Sequence, residues 1–349
     1  MIKLLIVDDS ALMRKQLVNI FNDQDDVEIS ACRNGVEALQ ELHEYKPDVI
    51  TLDINMPEMD GLTCLSKIMN ERPSPVIMVS SLTHRGAMAT YEALAMGAVD
   101  FIAKPDGTMS QKMELVGREL IAKVRSAAMS KVRVHTKLKS EVRRSLQTIR
   151  HNKPARHTGT IGVVLIGVST GGPGTLQEIL PLLSQQFPWP IVVAQHMPST
   201  FTKSFSERLD TMCNLNVREV TGPTQLEPGN IYIAKGDADI VLGRRPSGVT
   251  AGCKPMSSQY NWHPSVELMV ISAMQCYEPS EIIAVQLTGM GDDGAKPMAE
   301  LYTLGGRTIA ESEETAIVFG MPKELIARNG ATMVLPAGRI AAQLENWTA

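Results

Sequence analysis

Ile2-Lys3-Leu4-Leu5-Ile6-Val7-Asp8-Asp9-Ser10 reads as a short strand that stops on two carboxylates. Four further apolar runs follow, giving a series at 4–7, 27–31, 49–52, 76–79 and 101–103. Helical patterns such as 11–21 and 36–45 lie between them. Short strands alternating with helices predict a parallel sheet covered on both faces. Pro57, Gly61 and Gly97 punctuate the element ends. The alternation restarts after 160, with strands expected at 163–166, 191–194, 217–220, 231–233 and 282–287. Helices are expected there at 175–183, 201–212, 266–274 and 296–304. The turns Glu227-Pro228-Gly229-Asn230 and Arg245-Pro246-Ser247-Gly248 predict a small antiparallel excursion within about 217–260. The expected organisation is α/β throughout: a domain at 1–129, a linker at 130–159 and a mostly parallel, doubly wound domain at 160–349.

A chain of 349 residues has room for two cores. Its net charge of −4 gives no sign of a nucleic-acid partner. The five cysteines are scattered and form no CxxC pair, so free thiols in a reducing compartment are expected. The first residues enter a strand directly rather than a leader, and no apolar run is long enough to span a bilayer. A cytoplasmic protein without membrane insertion is expected. The segment 131–158 differs in character, with nine Lys/Arg against one Glu. It reads as a solvated basic linker, or as a segment that docks on an acidic partner or on the chain's own domains.

In an open parallel sheet, ligands gather at the carboxyl ends of the strands. Asp8 and Asp9 follow the first run, Asp53 ends the third, Ser80 ends the fourth and Lys104 ends the fifth. Three clustered carboxylates repel, and a divalent cation with oxygen ligands relieves that repulsion; Mg²⁺ fits best. A phosphoryl group on one Asp would be held by the metal, a hydroxyl and an ammonium. Val7-Asp8-Asp9-Ser10, Leu52-Asp53-Ile54-Asn55-Met56-Pro57, Val79-Ser80-Ser81 and Ala103-Lys104-Pro105 resemble the signature of the response-regulator receiver family, which has a flavodoxin-like (βα)5 fold. The resemblance implies that Asp53 accepts the phosphoryl group. It implies that Asp9, Asp53 and the Asn55 carbonyl ligate Mg²⁺, with Asp8 as an outer acidic partner. Ser80 would be the switch hydroxyl and Lys104 the phosphate-pairing cation, with Lys104-Pro105 expected to be cis.

The second half carries a different set. Gly167-Val168-Ser169-Thr170-Gly171 lies between an apolar strand and a helical pattern, a sharp turn that would expose the Ser169 hydroxyl. The rival reading, a phosphate-cradling loop, lacks the following Lys, and Pro173 removes an N–H. His196 follows the next strand and could serve as base, while Asp292 or Asp293 follows the strand at 282–287 and could orient it. The order Ser, His, Asp differs from the usual α/β-hydrolase order. Ser169-Thr170-Gly171-Gly172, Gln195-His196-Met197-Pro198, Phe201-Thr202-Lys203-Ser204-Phe205, Pro264-Ser265-Val266, Thr288-Gly289-Met290-Gly291-Asp292-Asp293-Gly294 and Phe319-Gly320-Met321-Pro322 resemble the chemotaxis protein-glutamate methylesterases, the CheB family.

That resemblance implies Ser169 as nucleophile, His196 as general base then acid, and Asp293 as the orienting carboxylate. The oxyanion hole would be the backbone N–H of Met290, with that of Thr170. The implied reaction is hydrolysis of glutamate γ-methyl esters, and deamidation of glutamines, on methyl-accepting chemotaxis receptors. A chemotaxis histidine kinase would supply the phosphoryl group, the esterase itself would need no cofactor, and a monomer is expected. The unphosphorylated receiver would cover the Ser169 cleft, and phosphorylation of Asp53 would weaken that cover. One departure from the family pattern is Trp262-His263, where a His-Arg pair often precedes Pro-Ser-Val. A DNA-binding output finds support only in the basic linker, and a silent receptor-binding module is opposed by the complete Ser, His and Asp set.

Overall fold

The computed structural model describes residues 1–81, 83–104, 110–130 and 161–349, with side chains for all of these except 84, 85 and 110–115. The expected cis Lys104-Pro105 bond and the basic segment at 131–158 lie outside the described residues. The chain divides into two compact units, Met1–Thr136 and Lys137–Ala349.

The first unit alternates β1 (Ile2–Val7), α1 (Ala11–Phe21), β2 (Val27–Cys32), α2 (Gly35–Glu44), β3 (Val49–Asp53), α3 (Gly61–Glu71), β4 (Val76–Ser80), α4 (His84–Met96), β5 (Asp100–Ala103) and α5 (Ser110–Ala128). The strands form one sheet in the order β2-β1-β3-β4-β5, every pair parallel. This is the flavodoxin-like order. β3 and β4 are buried along their whole length, which explains their unbroken apolar runs. Four helices start on a polar side chain that accepts from the first turn: Ser10, Asn34, Asp60 and Thr83. Those caps fix where each loop turns back from the sheet edge.

The second unit contains β6 (Val163–Val168), α6 (Gly172–Ile179), β7 (Ile191–Gln195), α7 (Ser199–Met212), β8 (Asn216–Val220), β9 (Thr224–Gln225), β10 (Asn230–Ala234), β11 (Asp239–Arg245), β12 (Gly248–Lys254), α8 (Val266–Met274), β13 (Ile282–Gln286), α9 (Ala295–Thr303), β14 (Arg307–Glu311), α10 (Met321–Ala327), β15 (Met333–Leu335) and α11 (Ala337–Thr348). Seven of these strands make a parallel sheet in the order β15-β14-β13-β6-β7-β10-β8. From β6 the chain winds outward through β7 to β8 and β10. It then returns to the other side of β6 through β13, β14 and β15. The order therefore reverses beside β6, where ligands bind in such sheets.

The antiparallel excursion is real but narrower than expected. Only β9, β11 and β12 form it, while 216–220 and 230–234 belong to the parallel sheet. The small sheet puts Leu226, Ile240, Leu242, Val249 and Ala251 into one apolar core with Val266, Met269 and Val270 of α8 and Leu165 and Val192 of the large sheet. Burial of that shared face, not local strand propensity, holds the excursion in place. β14 and β15 were not expected from the sequence. β15 is an exposed three-residue edge strand, too short for an alternation signal. Among the described residues no helix is long and apolar enough to cross a membrane.

Candidate functional site

The carboxyl edge of the first sheet brings the acidic set together. The register pairs Val7 with Leu52, Asp53 with Val79 and Ser80 with Ala103, so Asp8, Asp53, Ser80 and Lys104 end at one level. Carboxylate oxygens of Asp8, Asp9 and Asp53 lie within 4.8 Å of one another. Lys104 Nζ sits 2.9 Å from Asp8 Oδ2 and 2.8 Å from Asp53 Oδ2. Asp8 and Asp53 are buried, whereas Asp9 is exposed. Burial pushes the Asp53 carboxyl above its ordinary range, against the opposing pull of Lys104. For Lys104 burial works downward, but the bonds to Asp53 and Asp8 outweigh it and hold the ammonium above its usual value.

The donor set suits a hard divalent cation: oxygen ligands only, one of them solvent-facing so that the ion can keep waters. Asp53 Oδ1 accepts a bond from Asn55 N–H at 3.3 Å, which curls the loop back over the carboxylate. The Ser80 hydroxyl is turned to the Ser81 carbonyl at 3.4 Å and makes no bond to Asp53. Gly61 is required by close approach, since a Cβ there would stand 2.1 Å from the Asp53 carbonyl oxygen. Gly61→Ala is expected to destabilise the first unit by about 1–3 kcal/mol, read as a lower urea midpoint at unchanged m-value.

In the second unit three strand ends converge. Ser169 follows β6, His196 follows β7, and the loop 288–294 follows β13. Ser169 N–H donates to Thr288 O at 2.9 Å and His196 N–H donates to Val168 O at 3.0 Å, tying the three ends together. Gln195 Nε2 donates to both Ser169 O and His196 O at 3.0 Å. Gly289 again reflects close approach, because a Cβ there would lie 2.6 Å from Ser169 Cβ. His196 Nε2 meets Asp293 Oδ2 at 2.9 Å. His196 Nδ1 is buried and has no hydrogen-bond partner, so no bond to Ser169 is formed in this state. Such bonds often tighten only when substrate is present. The two nitrogens are thus reversed relative to the serine-protease template, in which the carboxylate holds Nδ1.

Asp293 is the better placed of the two candidate carboxylates. It accepts from Val266 N–H at 2.7 Å and Glu267 N–H at 2.9 Å, at the start of α8, and from Ser265 Oγ at 3.3 Å. Burial works to raise its pKa, but the His196 contact and the two amides outweigh it and hold the carboxyl below its ordinary range. Asp292 is exposed and reaches Arg328 instead. The amides of Thr170 and Met290 donate to no acceptor among the described residues.

The CheB methylesterase family model matches residues 164–344, and the response regulator receiver domain model matches residues 4–114. The chain belongs to the CheB methylesterase family. A relative from Rhodospirillum rubrum, protein-glutamate methylesterase/protein-glutamine glutaminase 3, is 54% identical and spans 99% of this chain and 96% of its own. A Thermotoga maritima relative, named as a protein-glutamate methylesterase/protein-glutamine glutaminase, is 44% identical over 98% of this chain and 97% of its own. The crystal structure of the Thermotoga maritima CheB methylesterase catalytic domain is 42% identical, with a TM-score of 0.52, and covers 54% of this chain and 99% of that one.

Sequence reasoning singled out Trp262-His263 only as a departure from the CheB pattern. In the fold Trp262 packs on His196, while His263 turns to Asp239. The Trp262 indole stacks on the His196 imidazole, with centroids 5.4 Å apart and planes 7° from parallel. His263 Nδ1 bonds the buried Asp239 Oδ1 at 2.8 Å. Nothing in the one-dimensional spacing links either residue to His196 or Asp239.

Proposed function

We propose that this chain is a phosphorylation-activated serine hydrolase that demethylates glutamate γ-methyl esters, and deamidates glutamines, on methyl-accepting chemotaxis receptors. The observation that carries this reading is the His196–Asp293 pair beside the Ser169 turn, with His196 Nδ1 left free to accept a proton. Ser169 Oγ attacks the ester carbonyl carbon as Nδ1 takes its proton. The amides of Met290 and Thr170 receive the developing oxyanion. The imidazolium, held at Nε2 by Asp293, returns the proton to the departing methoxide, and methanol leaves. Water, deprotonated by the same nitrogen, then releases the glutamate carboxylate and frees Ser169. A glutamine amide follows the same path, with ammonia leaving.

In the receiver, Asp53 takes the phosphoryl group from a chemotaxis histidine kinase. Lys104 pairs with the phosphoryl oxygens, and the Ser80 hydroxyl turns toward them from the Ser81 carbonyl. Asp9, Asp53 and the Asn55 carbonyl, with Asp8 behind them, would hold a Mg²⁺ ion, which would supply the positive charge that the phosphoryl oxygens need.

The test is methanol release from methylated receptor membranes, with and without a small phosphodonor and Mg²⁺. The phosphodonor is expected to raise release by about 5- to 150-fold, the usual span of coupling between two sites. The Asp53→Asn protein should show no such stimulation. Equal stimulation of wild type and Asp53→Asn would remove Asp53 as the acceptor.

A further inference from the structure

The imidazole of His196 is fixed at one edge by a single bond, Nε2 to Asp293. The His196 side chain is only 7% exposed, so the groups packed on the ring set its plane, and the Trp262 indole is one of them. Its plane is 7° from that of the imidazole, at a centroid separation of 5.4 Å, an offset-stacked geometry. The indole Nε1 lies against Gly291, where an added Cβ would be 3.6 Å away. Trp262 therefore packs against both the base and the Gly291 turn of the loop that carries Met290 and Asp293.

Its own loop is clamped by one buried carboxylate. Asp239 Oδ2 accepts from Ser257 N–H at 2.9 Å, and Asp239 Oδ1 accepts from Ser265 N–H at 3.0 Å and contacts His263 Nδ1 at 2.8 Å. Both ends of 257–265 are thus tied to the first residue of β11.

We propose that Trp262 is a positioning residue for the hydrolase: it fixes the plane of His196 and favours the imidazolium that forms when Nδ1 takes the serine proton. A cation held over an indole face is attracted to its π-electrons, and Trp is the strongest of the aromatic faces. The attraction grows as the imidazole becomes charged, so it acts on the transition state more than on bound substrate. This inference rests on the hydrolase reading of the site.

Two measurements on the full chain test it. In histidine-labelled protein, the ring protons of His196, assigned by difference with His196→Gln, should be shifted upfield by the indole ring current. Trp262→Leu should move them downfield, and Trp262→Phe should keep part of the shift. In methanol-release kinetics, Trp262→Leu should lower kcat about tenfold with KM changed by less than about twofold. Trp262→Phe should recover most of that loss. His196 resonances unmoved by Trp262→Leu would overturn the stacking. A raised KM at unchanged kcat would make Trp262 a receptor contact instead and overturn the positioning role. If the wild type itself released no methanol in a Ser169-dependent way, the hydrolase reading would fall, while the resonance measurement would still judge the stacking.

Discussion

Ser169→Ala is expected to lower methanol release by roughly 10⁴- to 10⁶-fold, the loss seen when a nucleophile is deleted from an acting set of three. The turn itself should survive. Ser169 N–H donates to Thr288 O at 2.9 Å, and Ser169 O accepts from Gly172 N–H at 2.8 Å and from Gln195 Nε2 at 3.0 Å. All of these are backbone groups of Ser169, so an alanine keeps them. The variant should melt close to wild type, within about 0.5 kcal/mol in stability. Headspace methanol from methylated receptor membranes, read beside a thermal melt, checks both halves of this expectation. Release by a folded Ser169→Ala protein at more than about 1% of wild type would exclude a serine acyl-enzyme.

Asp293→Asn is expected to reduce kcat by about 10⁴-fold, for a reason that lies in the tautomer. The carboxylate now accepts from three N–H donors: Val266, Glu267 and His196 Nε2. An asparagine has one accepting oxygen. Oδ2 faces Val266 N–H and His196 Nε2, and Oδ1 faces Glu267 N–H and Ser265 Oγ, so either placement of the NH₂ leaves one α8 amide unpaired, and an NH₂ in the Oδ2 position faces His196 Nε2. That nitrogen would then have to accept, its proton would move to Nδ1, and the nitrogen needed as base would be blocked. Single-turnover rates should show the loss in the chemical step, and a histidine nitrogen spectrum should show the exchanged tautomer. A variant with near-normal kcat would mean that Asp293 only supports the fold.

The same carboxylate links stability to acid. Its folded pKa lies below its unfolded value, so the folded state binds fewer protons there. The stabilisation is fully present above the unfolded value of about 3.9 and is lost as the pH falls through the folded value. Urea unfolding between about pH 6 and about pH 3 should therefore show a steeper acid loss in wild type than in Asp293→Asn. The acid limb of the hydrolase should not report Asp293, because that group remains charged through the ordinary carboxylate range.

Much of this was legible in the sequence because the fold places chemistry at strand ends. Asp8, Asp53, Ser80 and Lys104 each sit where an apolar run stops, and so do Ser169 and His196. A parallel sheet turns that one-dimensional rule into a shared edge, so the two constellations follow from where each run ends. The family motifs added the choice of Asp293 over Asp292, which spacing alone left open. What spacing could not carry was orientation. His196 and Asp293 lie 97 residues apart, and which imidazole nitrogen faces the carboxylate depends on how β7, β13 and α8 are packed. The Trp262 stack and the Asp239 clamp have the same origin, since each joins loops that meet only after the small antiparallel sheet has docked. β14 and β15 are not legible in the sequence because their pairing is decided by the neighbouring strand rather than by their own few residues. The sequence by itself determined which residue types end which strands. Only the tertiary structure decided which atom of His196 is held and which is free, because that choice is made by distances between elements that no local pattern encodes.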